Sequence, residues 1–375
     1  MMRVALFHQA MVPPVIDGVV KPFKPGGYRD SCADIVYCLW KHAVTAVVAP
    51  SPIDSLDASS DDGWSFPDSK DGILKAIEAG ANVLWMNTLL FSGHPLQLLL
   101  QEQPELGKQI RILGQPPNIV HKYDDKMVLR HAMESCGLAE FLCPAITAVS
   151  GTSVAELEAS LQSAGMKFPI IIKPLRGRGS QGVTFCNSVA SALVTMETLA
   201  AAESIDSQSQ RRFPMYGSRF LLEQFIAGDE YTFTLVPGGS TYPPVLRTGH
   251  VDGVMPYSGD IPVTANSRVL STNEIDSVLE KAQAACQSLV AHIGCTAVVR
   301  IDGRREHSTG PVYLFDVNFK PNATGDCRPG RESQLNLCAL AGRQLGMSYA
   351  GYLRELLQTA DFVDVSSPGW DNCSS

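Results

Sequence analysis

Near the C-terminal end of the chain, two runs of β-branched and aromatic residues flank a polar, glycine-bounded loop. The runs are residues 297–301 and 312–319, and the loop is residues 303–310. This pattern predicts a β-hairpin with a long connection. Because side chains alternate between the two faces of a strand, the polar side chains of each run share one face. Paired in register, the strands would gather four of them on a small patch: Arg300, Asp302, Asp316 and Asn318.

Two interpretations of this polar patch are open. Carboxylate and carboxamide oxygens suit a hard cation such as Mg²⁺ far better than zinc or copper. A half-polar pair of strands is equally typical of the solvated face of an ordinary antiparallel sheet. The remainder of the chain has to decide between a metal site and a solvated face.

Length and charge limit the classes of protein that this chain can belong to. With 375 residues, it is long enough for two or three domains. The net charge of −8 argues against a nucleic-acid surface. The ten cysteines form no CxxC pair and no Cys/His cluster at zinc spacing, which predicts buried thiols in a reducing compartment. Residues 1–7 are too short for a signal peptide, and polar residues interrupt the most apolar window, 81–100, so we expect a cytoplasmic protein without a membrane span.

The first 117 residues alternate between strand and helix patterns. Strands are predicted at residues 3–7, 43–49, 82–86 and 111–113, with helices at 31–42, 73–79 and 95–101. The first helix would begin at a capping box of Ser31 and Asp34 and would turn Ile35, Val36, Leu39 and Trp40 inward. Pro116 and Pro117 would then break the chain. Such alternation predicts an open parallel sheet.

From residue 118 onward the pattern changes to a mixture of hairpins and isolated helices. Asp124 can cap a helix that runs to Cys136, and Ser153 with Glu156 forms a capping box before a stripe of Val154, Leu157 and Leu161. Strands are predicted at residues 169–173, 182–186, 219–225 and 230–236, and loops at 203–210 and 237–271. Ser271 and Glu274 would cap a helix that ends at Gly294, and two more helices follow at 332–345 and 348–359. The last residues are Ser-rich and look frayed.

Residues 177–182 match the pattern G-x-G-x-x-G, which is a weak signal by itself. A dinucleotide-binding fold needs a helix immediately afterwards, but a strand pattern follows here. A Walker P-loop sequence is absent, and Lys173 precedes the glycines whereas in protein kinases the lysine follows them. The remaining interpretation is a flexible hairpin tip that can fold over phosphate oxygens, with Lys173 at its base. A solvated lysine at the end of a strand is the alternative.

Four segments, in this order, resemble the ATP-grasp superfamily, and within it the D-alanine–D-alanine ligases. They are DDKMVLRHAMESCGL, FPIIIKPLRGRGSQGV, LLEQFIAGDEYTF, and VVRIDG with YLFDVNFKP. The later ALAGRQLGMSYAGYL is also similar, so the resemblance covers roughly residues 118–357. It implies an α/β chain with the ATP-grasp fold. We expect an N-terminal open parallel α/β domain at 1–117, a central lid domain at 118–218 and a C-terminal α+β catalytic domain at 219–375.

The resemblance also implies roles for individual residues. Lys126 and Lys173 would contact ATP phosphates, Glu223 and the backbone near Ile226 would hold the adenine, and Glu230 would hold the ribose hydroxyls. Taken singly, each glutamate is as typical of a surface position. The remaining candidates for nucleotide contact are Gly179, Ser180, Gln181 and Gln224.

For the hairpin patch, the resemblance implies a metal site beside the reacting group. Asp302, Asp316 and Asn318 would bind Mg²⁺, with Mn²⁺ as the alternative ion, and Arg300 would face the reacting acyl group. Metal ions, lysines and Arg300 would act by positioning groups and neutralising charge.

The chain departs from the family pattern at four places. The lid has Gly179 where a first serine is usual, and Gln224 stands where a lysine commonly follows the adenine-contacting glutamate. No lysine occurs between residues 174 and 280, so the substrate-loop lysine is missing; Arg247, His250 or Arg268 could replace its charge. The G-x-S-x-E pattern of the N-terminal domain is absent, and PFKPGGYRDS stands where a different substrate pocket would be. These departures argue against D-alanine as the substrate.

The sequence therefore predicts an ATP- and Mg²⁺-dependent carboxylate–amine ligase that joins small amino-acid-like substrates through an acyl phosphate. We expect neither nucleic-acid nor membrane partners, and a homodimer is an assembly that the resemblance allows. An ATP-binding protein without ligase activity, regulatory or degenerate, is the rival that the missing lysines favour. A dehydrogenase is disfavoured because a strand follows the glycines.

Overall fold

The computed structural model describes residues 1–21, 23–177, 179–205, 212–249, 263–307 and 310–371. Among these, no helix combines the length and the apolar character that crossing a membrane requires.

An open, mostly parallel sheet forms the N-terminal part. Strands β1, β4, β5, β6 and β7 belong to this sheet, in which β1 pairs in parallel with β4, β5 and β6, and β6 pairs in parallel with β7. Val4, Ala5, Leu6 and Phe7 of β1 are all fully buried, because helices cover both faces of the sheet. The elements are β1 (Arg3–His8), β2 (Val15–Ile16), β3 (Val19–Val20), α1 (Arg29–Lys41), β4 (Ala46–Val48), β5 (Phe66–Pro67), α2 (Lys70–Glu78), β6 (Val83–Met86), α3 (Pro95–Glu102) and β7 (Arg111–Leu113).

A second sheet is antiparallel and has the order β10-β9-β13-β8. Helices α6 and α7 pack on it through an apolar cluster that includes Leu157, Leu161 and Met196. The elements of this region are α4 (Pro117–Tyr123), α5 (Lys126–Ser135), β8 (Ala145–Val149), α6 (Val154–Ser163), β9 (Ile170–Pro174), β10 (Thr184–Cys186), α7 (Val189–Ala200), β11 (Glu203–Ile205), β12 (Arg212–Pro214) and β13 (Arg219–Gln224).

A third sheet, also antiparallel, has the order β16-β15-β14-β17-β18 and packs against α8. The last short strand, β19, pairs antiparallel with β7 and so joins the first sheet. The elements are β14 (Glu230–Leu235), β15 (Val245–Arg247), β16 (Ser267–Val269), α8 (Ser277–Ile293), β17 (Val299–Arg305), β18 (Val312–Asn318), α9 (Leu337–Gln344), α10 (Tyr349–Gln358) and β19 (Asp361–Phe362). This mixed α/β architecture confirms the predicted fold class.

The predicted hairpin is present and in register, since Arg300 pairs with Asn318, and Asp302 with Asp316. Its first strand continues to Arg305, four residues beyond the predicted end, with a bulge between Asp302 and Gly303. The glycine-rich segment also connects two antiparallel strands, β9 and β10, as expected.

Several predicted helix starts were wrong. The Ser31 hydroxyl donates to the Tyr28 carbonyl oxygen, and Asp34 is paired with distant arginines, so the two residues form no capping box. Asp125, not Asp124, caps α5 by accepting from the backbone N–H groups of the next turn. The capping box of Ser271 and Glu274 exists but caps a single 3₁₀ turn, after which Asp276 caps α8.

Other local predictions were also wrong. Pro117 opens helix α4 where a break was expected, as a proline at the first helical position can. Trp40 and Val154 were expected to face inward but are 37% and 53% exposed. Residues 203–205 form a strand within the predicted loop. The rest of that loop, much of the loop after residue 249 and the final four residues lie outside the described part of the chain.

Candidate active site

A cleft lies between the second and third sheets, where residues 225–229 pass from β13 to β14. The backbone N–H of Arg305 donates to the Asp229 carbonyl oxygen, and that of His307 to the Ala227 oxygen, which ties this linker to the hairpin. Gly228 has a φ of +150°, and a Cβ there would lie 2.0 Å from the Arg305 carbonyl oxygen, so only glycine fits. The linker therefore holds the two sheets at close range along one edge of the cleft.

All thirteen residues that the sequence marked as a candidate site line this cleft. They come from the start of α5, from β9 and the glycine loop, from the β13–β14 junction, and from the hairpin of β17 and β18. They are Lys126, Lys173, Gly179, Ser180, Gln181, Glu223, Gln224, Ile226, Glu230, Arg300, Asp302, Asp316 and Asn318.

At one end of the cleft, Glu223 is buried between two cations. Lys173 Nζ lies 2.5 Å from one carboxylate oxygen and Arg130 Nη1 lies 3.1 Å from the other. Lys173 is only 7% exposed and its ammonium group lies 4.5 Å from the centre of the Phe315 ring. Burial of this kind rules out a solvated lysine at a strand end. The sequence analysis missed Arg130, although it lies four residues after Lys126, on the same face of α5.

A second buried ion pair lies next to the linker. Arg304 Nη2 is 2.8 Å from Glu230 Oε2, and the Arg304 guanidinium lies 5.5 Å from the centre of the Phe225 ring. The sequence analysis missed Arg304 because the predicted strand ended too early. Side chains alternate along a strand, so the rule that places Arg300 and Asp302 on the cleft face also places Arg304 there once the strand is extended by two more residues.

Between these ion pairs, the cleft wall is apolar. A mainly apolar slot flanked by buried polar groups is suited to an aromatic heterocycle that carries hydrogen-bonding atoms at its rim. Its apolar side chains are Ile171, Val183, Phe225, Ile226, Tyr313 and Phe315.

At the other end of the cleft, the hairpin patch is cross-linked by hydrogen bonds. Asp302 accepts from the Thr232 hydroxyl at 2.7 Å and from the Asn318 amide at 3.0 Å, and it pairs with Arg300 Nη2 at 2.9 Å. Asp316 lies 3.6 Å from Lys126 Nζ. Thr232 was not predicted, and it reaches the patch because β14 pairs with β17. Three oxygen-bearing side chains on one face form a donor set that fits Mg²⁺ or Mn²⁺.

Neighbouring charges keep Asp316 and Arg300 ionised. Burial alone would raise the pKa of Asp316, but the charges of Lys126, Lys173 and Arg300 hold it below its ordinary value. Burial alone would lower the pKa of Arg300, but the carboxylate of Asp302 raises it overall. Asp316 and Arg300 are therefore held in their charged forms, as the binding of a divalent cation and an anion requires.

The glycine loop closes over the cleft from β9. Gly179 and Ser180 have φ angles of +56° and +59°, which turn the chain sharply at the tip. The loop is anchored at its base, where Arg176 donates to the His121 carbonyl oxygen and the Lys126 backbone N–H donates to the Leu175 oxygen. Arg178 lies outside the described residues.

Gln224 stands where a lysine is usual in the family pattern, and its side chain makes hydrogen bonds to the backbone of a neighbouring turn. Its amide oxygen accepts from the Lys167 N–H, and its amide nitrogen donates to the carbonyl oxygens of Lys167 and Pro169. The side chain therefore fastens β13 to the turn before β9, although it also borders the cleft.

A second cavity continues from the hairpin patch toward the N-terminal part of the chain. Lys24 and Tyr28, from the segment that replaces G-x-S-x-E, line it together with Lys21, Lys320 and Arg247. Lys320 Nζ and Lys24 Nζ both lie over the Tyr28 ring, 3.2 and 4.5 Å from its centre. The cavity wall thus concentrates positive charge in a chain whose net charge is −8.

The three residues that could replace the missing substrate-loop lysine differ in their positions relative to the cleft. Arg247 borders both cavities and has no ion-pair partner among the described residues, and burial lowers its pKa. Arg268 is exposed and pairs with Glu274 at 2.7 Å, away from the cleft. His250 lies outside the described residues.

Known proteins resemble this chain in sequence and in fold. Residues 166–238 match the model of the ATP-grasp domain. The chain is 27% identical over 216 residues to D-alanine–D-alanine ligase of Polaromonas naphthalenivorans, an alignment covering 56% of this chain and 58% of that protein. It is 26% identical over 209 residues to D-alanine–D-alanine ligase B of Xanthomonas campestris, covering 56% of this chain and 57% of that protein. The chain thus spans about three fifths of the length of these curated relatives.

Solved structures match the fold over nearly its whole length. D-alanine–D-alanine ligase from Bacillus anthracis in complex with ATP superposes with a TM-score of 0.60 at 14% identity, covering 96% of this chain and 97% of that one. The VanG D-Ala:D-Ser ligase from Enterococcus faecalis gives a TM-score of 0.56 at 12% identity, with 96% and 99% covered. The chain therefore carries a match to the ATP-grasp domain and resembles the D-alanine–D-alanine ligases in sequence and in fold.

Proposed function

We propose that this chain is an ATP- and Mg²⁺-dependent ligase that joins the carboxylate of one amino-acid-like substrate to the amine of another. The observation that carries the proposal is the convergence of thirteen predicted residues on one cleft. An apolar slot, buried cations and a carboxylate patch line that cleft, and these are the parts that a nucleoside triphosphate and its metal ion require.

Different residues bind the adenine, the ribose and the phosphates of ATP. Glu223 and the backbone near Ile226 hold the adenine in the slot, and Glu230 holds the ribose hydroxyls. Lys126 and Lys173 contact the phosphates, supported by their burial and by their joint effect on the pKa of Asp316. Gly179, Ser180 and Gln181 cover the phosphates from the lid.

Asp302, Asp316 and Asn318 would hold the Mg²⁺ or Mn²⁺ ion. When bound, the ion neutralises charge on the phosphate oxygens and so makes the terminal phosphorus more electrophilic. Thr232 orients Asp302 for this task through its hydrogen bond of 2.7 Å.

The proposed reaction has two steps. An oxygen of the substrate carboxylate attacks the terminal phosphorus of ATP, the bond to the bridging oxygen breaks, and ADP and an acyl phosphate result. The amine then attacks the acyl carbon, loses a proton to solvent, and phosphate leaves. Arg300 faces the acyl oxygen, where its guanidinium stabilises the negative charge that develops as the amine attacks.

The second cavity holds the substrates, and its charge favours an acid other than D-alanine. Lys21, Lys24 and Lys320 reach it from the N-terminal segment and from the end of the hairpin, and Arg247 reaches it from β15. Such a wall is suited to a substrate with a second anionic group in addition to the reacting carboxylate. Arg247 takes over the charge of the missing substrate-loop lysine.

Three further features belong to this proposal. The chain divides into domains at residues 117 and 218, it works in the cytoplasm, and it forms a homodimer. Sedimentation of the purified chain tests the dimer.

Release of ADP tests the ligase function. The purified chain is incubated with ATP, Mg²⁺ and a panel of amino acids, dicarboxylic amino acids and dipeptides, and ADP is measured. We expect ADP release that requires an added acid and a hydroxamate when hydroxylamine replaces the amine, since the acyl phosphate is the electrophile. ATP binding without ADP release for every acid would favour the non-catalytic rival. AMP and pyrophosphate as products would overturn the acyl-phosphate mechanism.

A further inference from the structure

Two cysteines and a histidine come together far from the cleft, at the contact between α1 and the segment that follows the hairpin. Cys38 lies in α1, His42 just after its end, and Cys327 in the connection between β18 and α9. The two sulfur atoms are 3.1 Å apart, although the residues are 289 positions apart in sequence. A ligand nitrogen of His42 and both sulfur atoms lie within 4.8 Å of one another.

The surrounding structure holds this group in place. Cys38 and His42 are four residues apart, so they lie on one face at the end of α1. One turn earlier, Asp34 pairs with Arg328 at 2.6 Å and with Arg331 at 2.8 Å. This buried ion-pair network fastens the 327–331 segment to α1 independently of the sulfur atoms, so the three side chains are already assembled.

The geometry favours a metal ion over a disulfide. With Zn–S bonds of about 2.3 Å and tetrahedral angles, two thiolates on one Zn²⁺ lie roughly 3.8 Å apart, so the sulfur atoms would separate by about 0.7 Å. A disulfide would instead require them to approach to about 2.05 Å, and it would leave His42 without a function. Two sulfur ligands and one imidazole are also a set that selects zinc over magnesium or calcium.

We propose that Cys38, His42 and Cys327 form a Zn²⁺ site that clamps the 327–331 segment onto α1. On binding, each thiol releases its proton to solvent, neutral His42 donates a ring nitrogen, and the fourth position is left to water. Lys320 and Asn322, near the start of the same connection, line the second cavity. The clamp therefore steadies one wall of that cavity, and its test does not depend on the proposed ligase activity.

A titration with Co²⁺ as a spectroscopic substitute tests the site in the full, reduced and metal-free chain. We expect thiolate-to-cobalt charge-transfer absorption that saturates at a single equivalent, its displacement by Zn²⁺, and a higher melting temperature with Zn²⁺. The oxygen ligands of the hairpin patch produce no such absorption, so binding there cannot imitate the result.

Matched variants locate the ligands. Cys327→Ser should lose the absorption and His42→Asn should weaken Co²⁺ binding, whereas Cys136→Ser and His131→Asn should match the wild type. His42 is exposed, so its variant should fold even if replacement of buried Cys38 does not. Absence of the absorption in the wild type, or its survival in both Cys327→Ser and His42→Asn, would overturn the proposal. An internal disulfide that forms with oxidised glutathione in a chain that binds no Co²⁺ would replace the metal site by a redox pair.

Discussion

Substitution of Lys173 gives the sharpest test of the proposed ATP site, because its ammonium group interacts with groups at both ends of the cleft. It lies 2.5 Å from Glu223 at the slot, and its charge also lowers the pKa of Asp316 at the hairpin patch. A phosphate chain that runs between those ends has to pass this side chain. We therefore expect Lys173→Ala to raise the KM for ATP and to reduce turnover.

The magnitudes follow from the surroundings of Lys173. Loss of one charged donor aimed at developing charge in a site that excludes water costs about 10²–10³ in kcat, or about 3–4 kcal/mol. Breaking a buried ion pair commonly costs about 3–5 kcal/mol of stability when it leaves an uncompensated charge. Here Arg130 stays 3.1 Å from Glu223, so the loss of stability should be well below that range. The variant should fold and yet be nearly inactive.

Steady-state release of ADP over a series of ATP concentrations, with thermal unfolding in parallel, measures both effects. Lys167→Ala is the matched control, because its exposed side chain lies just before the same strand and only its backbone contacts Gln224. Lys173→Met, which keeps the aliphatic stem, separates loss of charge from loss of packing. Kinetics of Lys173→Ala close to those of the wild type would refute a phosphate contact and leave Lys173 a structural role only.

Three other predictions concern the metal patch, the second cavity and pH. Asp316→Asn, which is nearly isosteric, should demand much more Mg²⁺ for ADP release without lowering the melting temperature, and unchanged Mg²⁺ dependence would contradict the metal site. Arg247→Met should raise the KM for the acid substrate, whereas the exposed control Arg268→Met should not; equal effects would remove Arg247 from the site. Burial lowers the pKa of His8 below its ordinary 6.5, so the unfolded chain binds more protons below pH 6.5. The stability that neutral His8 contributes is complete above that pH and is lost as the pH falls through the folded pKa, so melting temperatures of His8→Gln should depend less on pH between about 7 and 5 than those of the wild type.

Helix starts show why local signals can mislead. Ser31 and Asp34 have the spacing of a capping box, but Asp34 is fully buried and is used by Arg328 and Arg331 instead. Ser153 and Glu156 have a similar spacing, and they do form the box. The difference is the partner that tertiary packing brings to the first pair, because a buried carboxylate is stabilised more by two guanidinium groups than by a backbone N–H.

The sequence by itself determined the elements whose rules are local. Alternation along the strands assigned Arg300, Asp302, Asp316 and Asn318 to one face, and the glycines at 177–182 required a turn between two strands. These features depend on backbone geometry over a few residues, which any packing has to respect.

Only the tertiary structure decided which distant groups meet. Three contacts join residues that are 70 to 289 positions apart in sequence: Arg130 with Glu223, Thr232 with Asp302, and Cys327 with Cys38. Their distances are set by how α5 and α1 pack on their sheets and by the pairing of β14 with β17, through buried surfaces that involve many residues at once. Local periodicity carries no information about such distances, because the same strand or helix pattern can face any partner that buries its apolar side.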